Sequence, residues 1–236
     1  MSLPKLDKPI FEMKVPSQDR HVKFRPFLVR EEKILLIAQQ SGNDKDIITA
    51  IKQVLANCIV DIDFKIDSLT TFDLEYMFLK LRAKSVNNVV EVSYRDLEDN
   101  KIYDFEVDLD QIEITMPESV SNKIQITDKI GMIMKYPSVT IIDEAPEGAT
   151  SLEMVEYLVA SCIDKVYDED SVYPIVEQSK KDVQEFIDNL DVETYERVRN
   201  FFNEMPRLHY RIDYKNSLGN ERFIELTSLR DFFTWG

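Results

Sequence analysis

Glycine is scarce in this chain, five among 236 residues, which excludes the loops of clustered glycines whose amides close around a phosphate. Cysteine is scarcer still. Cys58 and Cys162 lie far apart, each inside an apolar pattern of helical spacing, so a disulfide framework and a thiolate zinc cluster are both excluded. Both read as small buried hydrophobes. His21 and His209 are equally isolated, which leaves no histidine pair for zinc. No run of about 18 apolar residues occurs, and the start MSLPKLDKPIFEMKVPS has no apolar signal-peptide core. The expectation is a cytoplasmic chain without a membrane span. Basic residues are in deficit too, 29 against 44 acidic ones, for a net charge of -15. That balance opposes binding to nucleic acid phosphates and anionic membranes; it favours solubility and a basic or apolar protein partner.

What is present suffices for a core, with 44% hydrophobic residues in a length that suits one large domain or two small ones. Residues 1–20 hold Pro4, Pro9 and Pro16 and read as an extended N-terminal arm. VKFRPFL, Val22 to Leu28, is expected as a short strand. The helix after it has Arg30, Glu31 and Glu32 in its first turn and Ile34 to Ile37 as its apolar content, and it stops at Gly42. From Asp44, residues Ile47, Ile51, Val54, Leu55, Cys58 and Ile59 recur at three- and four-residue steps, the core face of a second helix. Thr70-x-x-Asp73 caps a third, with Leu74, Met77, Phe78 and Leu81 along one side. The period then becomes two. Val90, Val92 and Tyr94, the turn LEDN, and Tyr103, Phe105, Val107 and Leu109 alternating with Asp104, Glu106 and Asp108 specify a hairpin with carboxylates on its wet face. Gln111 to Thr115 and Lys123 to Thr127 are expected to be extended.

The second half echoes the first. VLANCI at 54–59 is answered by LVASCI at 158–163, IDSL by IDNL, Tyr94 before RDLEDN by Tyr214 before KNSLGN, and VKFRPFL is set against IQITDKI. The expected fold is therefore α+β, two similar lobes of helices packed with an antiparallel hairpin, at 21–116 and 117–236, with internal duplication as the reading of the repeat. In the second lobe Thr150-x-x-Glu153 opens a helix carrying Leu152, Val155, Val159, Cys162, Ile163 and Val166, and Ser179-x-x-Asp182 opens another. A third ends at Pro206. A hairpin at Leu208 to Leu226 and the aromatic tail LRDFFTWG close the chain.

No catalytic, cofactor-binding or metal-ligating set emerges. Asp61 with Asp63, and Asp168 with Glu169 and Asp170, lack the ligand spacing and turn glycine of a calcium loop and read as solvated edges. Gly-x-Ser-x-Gly is absent. A carboxylate metal-dependent hydrolase is the alternative function; an acidic mimic of DNA would need its charge arrayed along a surface, whereas here acids alternate with apolar residues. Two places suit contact with a partner: Phe24, Arg25, Pro26 and Phe27 with Arg30, and Phe232, Phe233 and Trp235 in the tail. Glu31 and Glu32 suit the positive end of their helix; Arg25 has no capping task.

FRPFLVREEKILLIA, the helix ending near CI, IDSLTTFDLEYMFLKLR and IELTSLRDFF follow one another in an order that resembles the baseplate hub family of T-even-type myoviruses, over nearly the whole chain. The resemblance implies a bacteriophage protein acting in assembly of the baseplate central hub, as assembly factor, chaperone or hub subunit. Its implied partners are other phage hub and tail proteins, met in the host cytoplasm during assembly or in the virion baseplate, and it implies no catalytic residues and no cofactor. Some relatives have a cysteine pair in the last hairpin that resembles a zinc-ribbon knuckle. This chain has Asn216 and Gly219 there, so no metal is expected at that turn.

Overall fold

A computed structural model of the chain describes residues 7–116 and 121–232. The fold is α+β, in two compact units: Met1–Thr115 together with Arg207–Gly236, and Met116–Pro206. The first unit opens with an antiparallel hairpin, β1 (Phe11–Val15) and β2 (Arg20–Phe24), in which Phe11 faces Phe24 and Val15 faces Arg20. Strand alternation sends Met13, Val15, Val22 and Phe24 inward and Glu12, Lys14 and Lys23 outward. Within the arm expected over 1–20, Phe11–Val15 is a strand and Pro16–Gln18 a turn. Pro9 precedes the strand and Pro16 follows it, opening a 3-10 turn where its missing amide costs nothing, while Pro4 lies outside the described residues. The Ser17 amide then donates to Asp73 at 2.9 Å.

Three helices follow, α1 (Val29–Ser41), α2 (Asp44–Cys58) and α3 (Thr71–Ser85). Gly42, in the left-handed region at φ 66°, ends α1 and donates its amide to the Gln39 carbonyl. The capping box of α3 is formed: Thr70 accepts from the Asp73 amide while the Asp73 carboxylate accepts from the Thr70 amide at 3.0 Å. Ile51, Val54, Leu55 and Cys58 of α2 meet Met77, Phe78 and Leu81 of α3 in the core, where each fully buried large apolar side chain contributes roughly 2 kcal/mol. The predicted hairpin is β3 (Val89–Arg95) and β4 (Ile102–Asp108), with Val92 opposite Phe105. β5 (Glu113–Thr115) follows.

The second unit holds the antiparallel sheet β6 (Lys123–Gln125), β7 (Gly131–Met134), β8 (Ile163–Tyr167) and β9 (Val172–Pro174), in that order. Helices α4 (Val139–Asp143), α5 (Ser151–Cys162), α6 (Lys180–Asp188) and α7 (Val192–Asn203) complete it. Met132, Met134, Val159, Cys162, Ile163 and Phe201 form its core. The helical pattern expected to run on to Val166 ends at Cys162. Ile163 and Val166, both β-branched, instead pair with Met134 and Met132 of β7. A side chain at Gly131 would run into the Tyr167 hydroxyl, which accounts for one of the five glycines.

Both halves turn the chain at a similar joint. The Arg25 amide donates to the Cys58 carbonyl at 2.9 Å, and the Lys135 amide donates to the Cys162 carbonyl at 2.7 Å. In each half the next helix is capped three residues after that amide, by Leu28 and by Ser138. VKFRPFL therefore answers to MIMKYPS, Met132 to Ser138. IQITDKI, set against it on sequence, supplies β6 and the turn beyond.

The closing hairpin, β10 (Arg207–Lys215) and β11 (Glu221–Leu226), belongs with the first unit, so the lobe expected over 117–236 stops at Pro206. Two non-local attachments decide this. Arg207 to His209 pair with β5, and the hairpin tip locks onto the tip of β3 and β4. Asn216 and Asn220 each donate to Glu98 at 2.6 Å, the Ser217 amide donates to Asp99 at 3.0 Å, and Tyr214 donates its hydroxyl to Asp96. The Tyr214 ring lies 5.1 Å from Tyr103 and 5.3 Å from Phe105. Asn216 is buried, and its side-chain oxygen accepts from the amides of Leu218 and Asn220 at 3.1 and 3.0 Å. Hydrogen bonds thus hold the turn where the resemblance pointed to a knuckle in some relatives. Asn216→Ala is expected to cost roughly 1–3 kcal/mol in urea unfolding, through the unpaired groups it leaves; Leu218→Ala, at the exposed tip, should stay within about 0.5 kcal/mol of wild type.

Candidate functional site

The segment from Phe24 to Arg30 joins β2 to α1, and Arg25 within it turns toward the buried Glu31 of α1. Glu31 has no solvent exposure. Its carboxylate accepts from the Arg25 guanidinium at 3.0 Å, from the Leu28 amide at 2.8 Å and from Arg30 Nε at 2.6 Å. Arg25 also donates to the carbonyls of Pro26 and Asn57, at 2.9 and 2.8 Å, and so ties the hairpin to both α1 and the end of α2. Burial would raise the Glu31 pKa; the hydrogen bonds from Arg25, the Leu28 amide and Arg30 outweigh it and hold the pKa at about 2. Burial likewise works against the Arg25 cation, and the Glu31 carboxylate more than compensates, leaving its pKa raised.

The contact residues expected from sequence are therefore divided by the fold. Phe24 is 1% exposed and its ring packs 5.8 Å from Phe11, so it is core; Arg25 is committed to Glu31 and to backbone carbonyls. The fold leaves Phe24 buried and Arg25 mostly covered. Pro26 and Phe27 are partly buried, the Phe27 amide being held by Ser85 at 3.0 Å, while the Arg30 side chain is 68% exposed. In the tail, Phe232 is 1% exposed and closes the core, and Phe233 and Trp235 lie outside the described residues.

A surface not singled out from sequence lies on α1. Val29, Leu36 and Ile37 are 66%, 51% and 69% exposed, and helical geometry puts them within an arc of about 100°. A groove of 580 Å³, which Leu36 helps to line, sets Phe27, Leu35, Val86 and Phe232 beside Glu32, Gln39, Arg82, Asn87 and Glu91. The signal was available: four consecutive apolar residues, Ile34 to Ile37, spread around most of a helix and cannot all face one core. An apolar strip beside a groove of mixed apolar and polar lining is a surface for another protein's side chains.

Reactive chemistry finds little purchase. Burial pushes the Cys58 thiol up to about 11 and the Cys162 thiol up to about 12, which keeps both protonated near neutral pH. Asp61 accepts from the Lys23 amide at 2.7 Å, and Asp168 accepts from the amides of Asp170 and Ser171 and the hydroxyl of Tyr173. Among the described residues no three His, Cys, Asp or Glu side chains gather as a metal-ion site, and no helix is long and apolar enough to cross a membrane. The second unit has an apolar cavity of 310 Å³ between β8, β9 and α6, whose rim carboxylates Asp168 and Asp182 are already used in turn and cap bonds.

Against known proteins, a family model described as T4 bacteriophage base plate protein matches residues 8–234. No curated protein and no solved structure matches the chain.

Arg25→Ala removes one of the two guanidinium partners of the buried Glu31 carboxylate and is expected to cost roughly 3 kcal/mol of folding stability. The Glu31 pKa is about 2 in the fold against an ordinary 4.5, so the stability it confers is complete above the ordinary value and drains away as pH falls between the two. Urea unfolding from neutral to acid pH should show that loss in wild type and a flatter profile in Glu31→Gln.

Proposed function

The chain belongs to the T4 bacteriophage base plate protein family, and from that premise we propose that it acts without catalysis in building the baseplate hub. In this reading it is an assembly factor or hub subunit that binds other tail proteins. The observation that carries the reading is the outward apolar strip of α1, Val29, Leu36 and Ile37, beside the groove lined by Phe27 and Phe232. Apolar residues this exposed on one helix face cost solubility unless a partner covers them, and covered anchors in a pocket supply most of the energy of a protein interface.

The rest of the surface supports the same reading. Acidic residues are spread through caps, turns and strand faces; Asp73 and Asp96 are buried, Asp168 is partly buried, and each orders local backbone. With a net charge of -15, basic neighbours are drawn in and acidic ones held off. Arg30, exposed at the head of the α1 strip, offers a cation to a partner carboxylate.

The paired change Leu36→Asp with Ile37→Asp tests the proposal. The variant should fold, since both side chains already face water, and should co-purify with the baseplate proteins of its own phage roughly tenfold less than wild type or worse. Circular dichroism checks the fold, and mass spectrometry identifies the partners. Undiminished recovery by the variant would remove α1 from the interface; stoichiometric heat with Mg, Mn or Ca together with turnover of a small substrate would replace the reading with an enzymatic one.

A further inference from the structure

A second groove in the first unit, of 690 Å³, lies between the end of α1, α2, α3 and the 3-10 turn Leu229–Phe232. Its apolar walls include Ile47, Ile48, Ile51, Leu74 and Leu229. One carboxylate opens onto it, that of Glu75 on α3. The Leu229 amide donates to it; the charged groups facing it are Asp231, of like sign, and Arg230 on the rim. Burial first, and then Asp231, raise its pKa to about 7, so the charge sits in worse surroundings than water would give it.

A carboxylate in a largely apolar wall selects its occupant. An acidic or wholly apolar segment would cover Glu75 and bring it no counter-charge of its own, at the expense of binding. A lysine or arginine does better on both counts: its methylene stem lies along Ile47, Ile48 and Leu74 while its charged head meets the carboxylate. We propose that this groove is the docking site for a basic side chain, flanked by apolar residues, on a neighbouring baseplate protein. The inference rests on the binding role proposed above and adds the chemistry of the partner.

The n-hexylammonium ion, with n-hexanol as its neutral counterpart, tests the chemistry on the full chain through the methyl NMR signals of Ile47, Ile48 and Ile51. Near pH 8 the cation should bind roughly tenfold more tightly than the alcohol. That preference should shrink toward about pH 5.5 as Glu75 takes up its proton, and vanish at both pH values in Glu75→Gln. Equal binding of the two probes, a preference that survives Glu75→Gln, or the absence of methyl shifts would overturn the site. Co-purification separates this inference from its premise. Baseplate proteins retained by Glu75→Gln but lost by the α1 double variant overturn the groove alone, whereas their absence from the wild-type sample overturns the binding role itself.

Discussion

The buried ion pair of Arg25 and Glu31 is the constraint from which the rest of the first unit follows. A carboxylate with no solvent exposure is tolerable only when every lone pair is used, and Arg25, Arg30 and the Leu28 amide use them. Because the same guanidinium reaches the Asn57 carbonyl, one side chain sets the hairpin, the start of α1 and the end of α2 against one another. The rotation of α1 follows. With Glu31 inward, helical geometry turns Val29, Leu36 and Ile37 by about 120° to 160° away from it, toward solvent. A charge that cannot leave the core therefore determines which apolar residues are offered outside.

Acidity, the most conspicuous feature of the composition, works as scaffolding. Asp73 caps α3 and receives the Ser17 amide from the N-terminal hairpin. Asp96, Glu98 and Asp99 receive the side chains and amides of the closing hairpin, which joins two tips 118 residues apart in sequence. Such carboxylates are spent on backbone order and are poor candidates for reaction. Glu75 differs because it opens onto a largely apolar groove, with Asp231 of like sign near it and Arg230 on the rim.

In the proposed reading, family membership and surface character point the same way. A chain matched over residues 8–234 by a baseplate family, with thiols held protonated by burial, has its distinctive features at its surface: the α1 strip and the two grooves on either side of the last turn. Adhesion between neighbours in a large assembly uses such features directly.

Local code was legible without the fold. The caps at Thr70 and Thr150, the helical repeat from Ile47 to Cys58 and the two-residue alternation from Val90 to Val107 act within a few residues, so the α+β class and the order of most elements could be read from the chain. The strands β7 and β8 could not, since Ile163 to Tyr167 has apolar spacing that fits a helix and becomes a strand only with Met132 and Met134 alongside. Nor could the inward turn of Phe24 and Arg25, or the attachment of the closing hairpin to the first unit. Sequence by itself determined the elements, because capping, periodicity and turn chemistry are short-range. Tertiary structure alone decided which faces stay wet and which unit owns the last hairpin, because those depend on burial and on hydrogen bonds between residues remote along the chain.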